Sequence, residues 1–280
     1  MRKISLDYVW LCLIVVLALT VSCGHTNGSS DTQRVEALHK VDEALAVQSP
    51  DAIRLVEEGL RKAKDSISYY EYYVRKGRWF CQSATPDSMV GYINRTINYA
   101  LCLPETPRRN GLLAYAYNSQ GVNYHNFHRK AEDVVWLYQE AYRFSLNSEV
   151  KNQSPNICAN LGDAYVFKNQ LVEAAYWYRR ALFLVDSLQL PQENYVSLHV
   201  GLADIYLKLK DFDSSLKCYR ETEGYFSKMS LSMQAYYLNN YGNYYYYKKD
   251  YSRCLSKFLQ LKRLLEKNDK KDCLTCIYAS

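Results

Sequence analysis

Between residues 112 and 263 a pattern of small and aromatic residues returns at intervals of 39 to 41. Residues 157–182 (ICANLGDAYVFKNQLVEAAYWYRRAL) align with residues 235–261 (AYYLNNYGNYYYYKKDYSRCLSKFLQL). Leu161-Gly162-x-x-Tyr165 falls on Tyr241-Gly242-x-x-Tyr245. Nine residues later come Ala174 and Cys254, four further on Tyr178 and Phe258, and three beyond those Ala181 and Leu261. The stretch between them keeps the register with Leu202, Ala203, Tyr206, Ser215, Tyr219 and Thr222. An upstream copy supplies Gly121, Tyr124, Val134, Tyr138 and Ala141, with one extra residue in its turn. Repeats must be recognised before anything else, because they decide the whole architecture. Only 11 Gly and 6 Pro punctuate the 280 residues, which favours helices over many short strands.

Gly121, Gly162 and Gly242, with Ala203, are expected where a neighbouring helix approaches closely, and Ala174, Ser215 and Cys254 do the same on a second helix. Large aromatics fill the space between hairpins. One hairpin cannot bury enough apolar surface to offset about 1–2 kcal/mol of backbone entropy per residue. Stacked hairpins supply each other's missing core. These residues resemble the tetratricopeptide repeat, with Leu-Gly-x-x-Tyr on a first helix and Ala-x-x-x-Phe-x-x-Ala on a second. The resemblance covers roughly half the chain and implies an all-α fold, an α-solenoid of about six helix-turn-helix hairpins.

Five segments are expected. Residues 1–23 combine Arg2 and Lys3 with an apolar run from Tyr8 to Val21, too short for a spanning helix of about 20 residues, and read as a lipoprotein-type secretory signal peptide. The run ends at Ser22-Cys23, which resembles the lipobox of bacterial lipoproteins and implies lipidation of Cys23; an uncleaved membrane anchor is the alternative. Either reading implies a cell-envelope, membrane-anchored protein, periplasmic or surface-exposed. Residues 24–32 read as a flexible tether, 33–104 as degenerate N-terminal hairpins, and 105–267 as the tetratricopeptide-like repeats. Residues 268–280 read as a linker and the start of a further helix.

The chain contains 28 Tyr, and four of them run together from Tyr244 to Tyr247. A helix turns 100° per residue, so these four cannot share a role. Tyr245 is expected in the core with Leu238, Tyr241 and Gly242, and Tyr244 against a neighbouring hairpin. Tyr246 and Tyr247 fall on the face with Tyr236, Asn239 and Asn243, as groove residues or as exposed filler. In tetratricopeptide solenoids that face lines a concave groove. The resemblance therefore adds Asn156, Asp163 and Phe167, then Asp204, Leu207 and Lys208, then Tyr115, Asn118, Val122 and His125 as peptide-binding candidates. Asn160 and Asn240 take the position that forms an amide ladder along a bound peptide in some members, with Ser119 and Gly201 at the other two rungs. Amides can bond to a peptide backbone, and aromatics add flat apolar area at low entropic cost.

No catalytic constellation is present: no phosphate-cradling glycine loop, no G-x-S-x-G and no H-E-x-x-H. The net charge of +6 comes without a long Lys/Arg block, so no nucleic-acid partner is expected. His125-x-x-His128 is too few ligands for a metal. Cys273-x-x-Cys276 has no second pair nearby, and Cys158, Cys218 and Cys254 read as packing residues. The expectation is therefore a non-enzyme without cofactor or metal: a membrane-tethered scaffold that binds a protein or peptide along its concave face. The alternative is the extracytoplasmic sensor part of a longer signalling or transcription-regulating protein, whose transmembrane and helix-turn-helix or kinase modules lie beyond residue 280.

Overall fold

The computed structural model describes residues 27–82, 86–128 and 131–268. The signal and lipobox readings, including Cys23, and the segment 269–280 with Cys273 and Cys276 lie outside the described residues. Among the described residues there are twelve α-helices and no strand. None of these helices is long and apolar enough to cross a membrane. The chain divides into two compact units, Met1–Thr96 and Ile97–Ser280.

The first unit holds α1 (Asn27–Ala46), α2 (Ala52–Lys62), α3 (Ser66–Gln82) and most of α4 (Pro86–Leu101). Helix α1 begins at Asn27, so most of the stretch read as a tether is helical. Asp31 and Arg34 sit one turn apart on α1 and pair at 3.7 Å, and the Arg34 guanidinium also donates to Glu71 on α3 at 2.6 Å. Val41 and Leu45 of α1 pack on Ala52 and Val56 of α2. Beside this core, Arg75 grips Asp42 with two donors, Nε at 3.0 Å and Nη2 at 2.6 Å.

The second unit is four hairpins in chain order: α5 (Pro107–Asn123) with α6 (Ala131–Ser145), α7 (Gln153–Phe167) with α8 (Leu171–Ser187), α9 (Val196–Lys208) with α10 (Phe212–Glu223), and α11 (Leu231–Tyr247) with α12 (Tyr251–Lys267). Each second helix touches the next first helix, and first helices also meet directly where α5 contacts α7 and α9 contacts α11. Thr106 accepts from Arg109 N at 3.2 Å to cap α5, whose first residue is Pro107; its fixed φ suits that position.

Three of the hairpin turns are copies of one another. Asn169, Lys210 and Lys249 all adopt left-handed backbone, with φ of 57°, 62° and 58°. In each, the N–H of the following residue reaches back to the carbonyl five residues earlier: Gln170 to Tyr165, Asp211 to Tyr206 and Asp250 to Tyr245, all near 2.8–2.9 Å. This is the Schellman closure of a helix, here built without glycine. Asp211 and Asp250 then cap the second helix through Ser214 N and Arg253 N, both at 3.1 Å. The extra residue of the first repeat is absorbed differently. There the first helix runs into a π-helical turn, Tyr124–His128.

The small residues do their work against rings. A side chain at Gly121 would strike the Tyr138 ring, one at Gly162 the Tyr178 ring, and one at Gly242 the Phe258 ring. The sequence reading expected a neighbouring helix there; the notch in fact receives the aromatic side chain of the second helix of the same hairpin. Gly201 of α9 closes the other side of Tyr178, with ring atoms 2.6 Å from where a Cβ would stand. On the second helices Ala174, Ser215 and Cys254 are buried as expected, and Ser215 Oγ donates to the Ala203 carbonyl at 2.9 Å.

The tyrosine run splits. Tyr244 is buried, edge-on to Phe212 and Tyr219 of the preceding hairpin. Tyr245 is half-buried rather than fully in the core. It stacks on Tyr241 at 5.0 Å and lies under the Arg253 guanidinium. Its position near the end of α11 sets the ring between Tyr241 of its own helix and Arg253 of α12, short of the buried interior. Tyr246 and Tyr247 are exposed.

Candidate functional site

The face of interest is carried by the first helices α5, α7, α9 and α11. Its centre is Asp163 on α7. The Tyr178 hydroxyl, held in place by the two glycine notches, donates to Asp163 Oδ1 at 2.6 Å. Asp163 keeps contact with solvent, yet desolvation by the surrounding wall raises its pKa above the ordinary 3.8. The Tyr178 bond and the positive charges of His125 and Lys208 oppose the rise without cancelling it.

Tyr236 on α11 answers from the far side. Its ring is partly exposed, but desolvation by the surrounding helices, then the Asp204 carboxylate, pushes its phenol up to about 12, with a smaller contribution from Asp163. Asp204 itself pairs with Lys208 one turn along α9 at 2.8 Å. At this end a cavity of about 680 Å³ opens among Asp204, Lys208, Asn243 and Tyr247, with Asn169, Leu171, Leu207, Lys210 and Phe212 completing its wall.

The remaining candidates are placed as follows. Asn160 donates to Asn118 at 2.8 Å, so this amide is engaged with a neighbouring first helix. His125 in the π-turn lies 5.8 Å from the exposed ring of Phe167. Asn240 is buried, and Asn239 Nδ2 reaches its oxygen at 3.5 Å. Asn156 is exposed near the start of α7. Tyr246 is exposed but leans edge-on to Tyr247 and Tyr251 and is not part of the cavity wall. Tyr115 does not belong on an open surface. It is buried, because α5 is enclosed on nearly all sides from Asn110 to Tyr117.

No protein-family model and no curated protein matches the sequence. Solved structures do match. A Rap protein complexed with Competence and Sporulation Factor has a TM-score of 0.65 at 13% identity, covering 89% of this chain and 70% of that one. NprR in complex with its cognate peptide NprX has a TM-score of 0.57 at 16% identity, covering 83% and 67%. A thermophilic TPR protein of Thermus thermophilus has a TM-score of 0.51 at 16% identity, covering 74% and 98%. The fold is a tetratricopeptide-repeat solenoid.

In this tetratricopeptide solenoid five of the residues named from the sequence, Asp204, Leu207, Lys208, Asn243 and Tyr247, share one cavity wall, and Asn169, Leu171, Lys210 and Phe212 were not named. Asn169 and Lys210 are the left-handed turn residues, and Leu171 and Phe212 open the second helices. A signal for them exists. Asn169 and Lys210 each follow the last first-helix residue by two, at the same place in successive repeats, so the turns recur in register with the groove positions.

Proposed function

We propose that this protein is a non-catalytic scaffold that binds an extended peptide segment of a partner protein along the first-helix face, and that Cys23 carries a lipid anchoring it in the cell envelope. The cavity walled by Asp204, Lys208, Asn243 and Tyr247 carries the binding reading. It offers a carboxylate, an ammonium, an amide and an accessible ring within one recess. That is the chemistry that holds a peptide backbone and one or two side chains. The peptide-bound state of the similarly folded NprR supports the choice of partner class. The anchoring reading rests on the run from Arg2 to Cys23.

A displayed library of random peptides panned on the purified protein tests the first part. Enriched peptides should lose most of their binding to an Asn243→Ala/Tyr247→Ala variant whose thermal unfolding is unchanged. Equal binding by both proteins would place the site elsewhere. Labelling of expressing cells with an alkyne fatty acid tests the second part. The label should enter the full chain and be absent from Cys23→Ala.

A further inference from the structure

His199, Cys218 and Glu221 form a cluster away from the face just described. His199 lies on α9. Cys218 and Glu221 are three apart on α10, hence on one face of that helix. The hairpin brings the imidazole nitrogen, the thiol sulfur and a carboxylate oxygen to within 4.8 Å of one another. We propose that these three side chains bind a divalent transition-metal ion of the zinc class.

Three observations support this. The donors are one nitrogen, one sulfur and one oxygen, a set that suits zinc and its borderline neighbours and is foreign to calcium or magnesium, which take oxygen ligands. In a tetrahedral site with bonds of about 2.0–2.3 Å, ligand atoms stand roughly 3.3–3.8 Å apart. The cluster is within a small rotamer adjustment of that. His199 Nδ1 is already 3.2 Å from Glu221 Oε2. Yet this buried nitrogen makes no well-directed hydrogen bond. The imidazole and the carboxylate thus already converge, and the Cys218 sulfur stands close enough to complete a three-ligand set.

Access and charge also fit. Cys218 is buried, His199 half-buried and Glu221 exposed, so the site is open to solvent on the Glu221 side. Asp186 adds a second negative charge to the field at His199. Lys217 lies 3.8 Å from Glu221 Oε1 on the exposed side and is free to swing away, being largely solvated. On binding, the Cys218 S–H bond breaks, its proton passes to solvent and the sulfur–metal bond takes its place. Three protein ligands leave a fourth position for water or a further ligand.

Cobalt(II) titration of the full chain is the test, because a thiolate ligand gives a near-ultraviolet charge-transfer band. One equivalent should produce the band, and Zn²⁺ should displace it. The Cys273→Ser/Cys276→Ser variant should keep the band, which separates this site from the other cysteine pair. Glu221→Gln, at an exposed position that cannot unfold the hairpin, should weaken cobalt binding at least tenfold, and Cys218→Ser should abolish the band. No band in the wild type, a band that survives in folded Cys218→Ser, or one lost with Cys273 and Cys276 overturns the proposal.

Discussion

Tyr178 reaches across its own hairpin to donate a 2.6 Å hydrogen bond to Asp163, while its ring fills the space above Gly162 and Gly201. One side chain thus joins two consecutive hairpins and also sets the electrostatics of the candidate binding face. Removing only the hydroxyl separates these roles. Tyr178→Phe should cost about 1 kcal/mol, below the roughly 1.5–3 kcal/mol of a fully buried bond to a charged group, because Asp163 keeps partial contact with solvent. That is a fall in Tm of about 2–4 °C by calorimetry. Tyr178→Ala should cost about 3–5 kcal/mol, since the ring is lost as well.

The glycine notches predict a graded series. Gly162→Leu and Gly201→Leu must displace the Tyr178 ring, and overpacking of this kind costs about 1–3 kcal/mol or more. Gly242→Ala should be milder, because the nearest Phe258 atoms are 3.0 Å from the added carbon. Gly224→Ala meets nothing within 4 Å and serves as the control. Urea unfolding of the four variants should rank them in that order, and equal losses at Gly162 and Gly224 would remove the ring-in-notch account.

Asp163 makes stability depend on pH in a definite direction. Its carboxyl holds a proton to higher pH when folded than the ordinary 3.8, chiefly through desolvation. The native state therefore binds more protons than the unfolded chain in the window just above 3.8, and stability falls as pH rises through it. Below that window both states are protonated and the penalty is absent. Asp163→Asn keeps an acceptor for Tyr178 and does not titrate. Its stability relative to wild type, from urea titrations at stepped pH, should rise with pH through the window and then level off. A constant difference would show that desolvation is not the dominant cause.

The turn at Lys249 holds a side chain in left-handed backbone, φ 58°. Glycine takes that conformation without the steric penalty. Lys249→Gly should stabilise the protein by about 0.5–1 kcal/mol, with no change in peptide binding, since Lys249 is outside the cavity wall. A lower Tm for this variant would contradict the turn geometry.

In the first unit the Arg75–Asp42 fork ties α3 to α1. Arg75 is almost fully buried, so Asp42→Ala leaves a buried cation short of its partner and should cost about 2–4 kcal/mol, less than a wholly buried pair because Asp42 is partly solvated. Arg75→Lys should not rescue the contact, because an ammonium cannot make both bonds. Equal stability of Arg75→Lys and wild type would mean that charge alone suffices.

Much of the fold was legible because a solenoid writes its contacts into spacing. Gly121, Gly162 and Gly242 recur with Tyr138, Tyr178 and Phe258, and each pair meets within one hairpin. The site was legible only in part. Tyr115 satisfies the groove register yet is buried, since register names a face and not what covers it. Tyr245 was assigned to the core and Tyr244 to a neighbour; Tyr244 proves the more deeply buried, because it meets a ring from the hairpin before.

Residue order decides periodicity, and with it helix, hairpin and the advance from one repeat to the next, because those depend on neighbours 3 to 40 positions away. It does not decide which groups from different helices converge. Gly201 closes over Tyr178, and His199 faces Cys218 and Glu221, only after rigid hairpins have turned and stacked. Close packing then leaves the buried Tyr178 ring and Cys218 thiol one place to go.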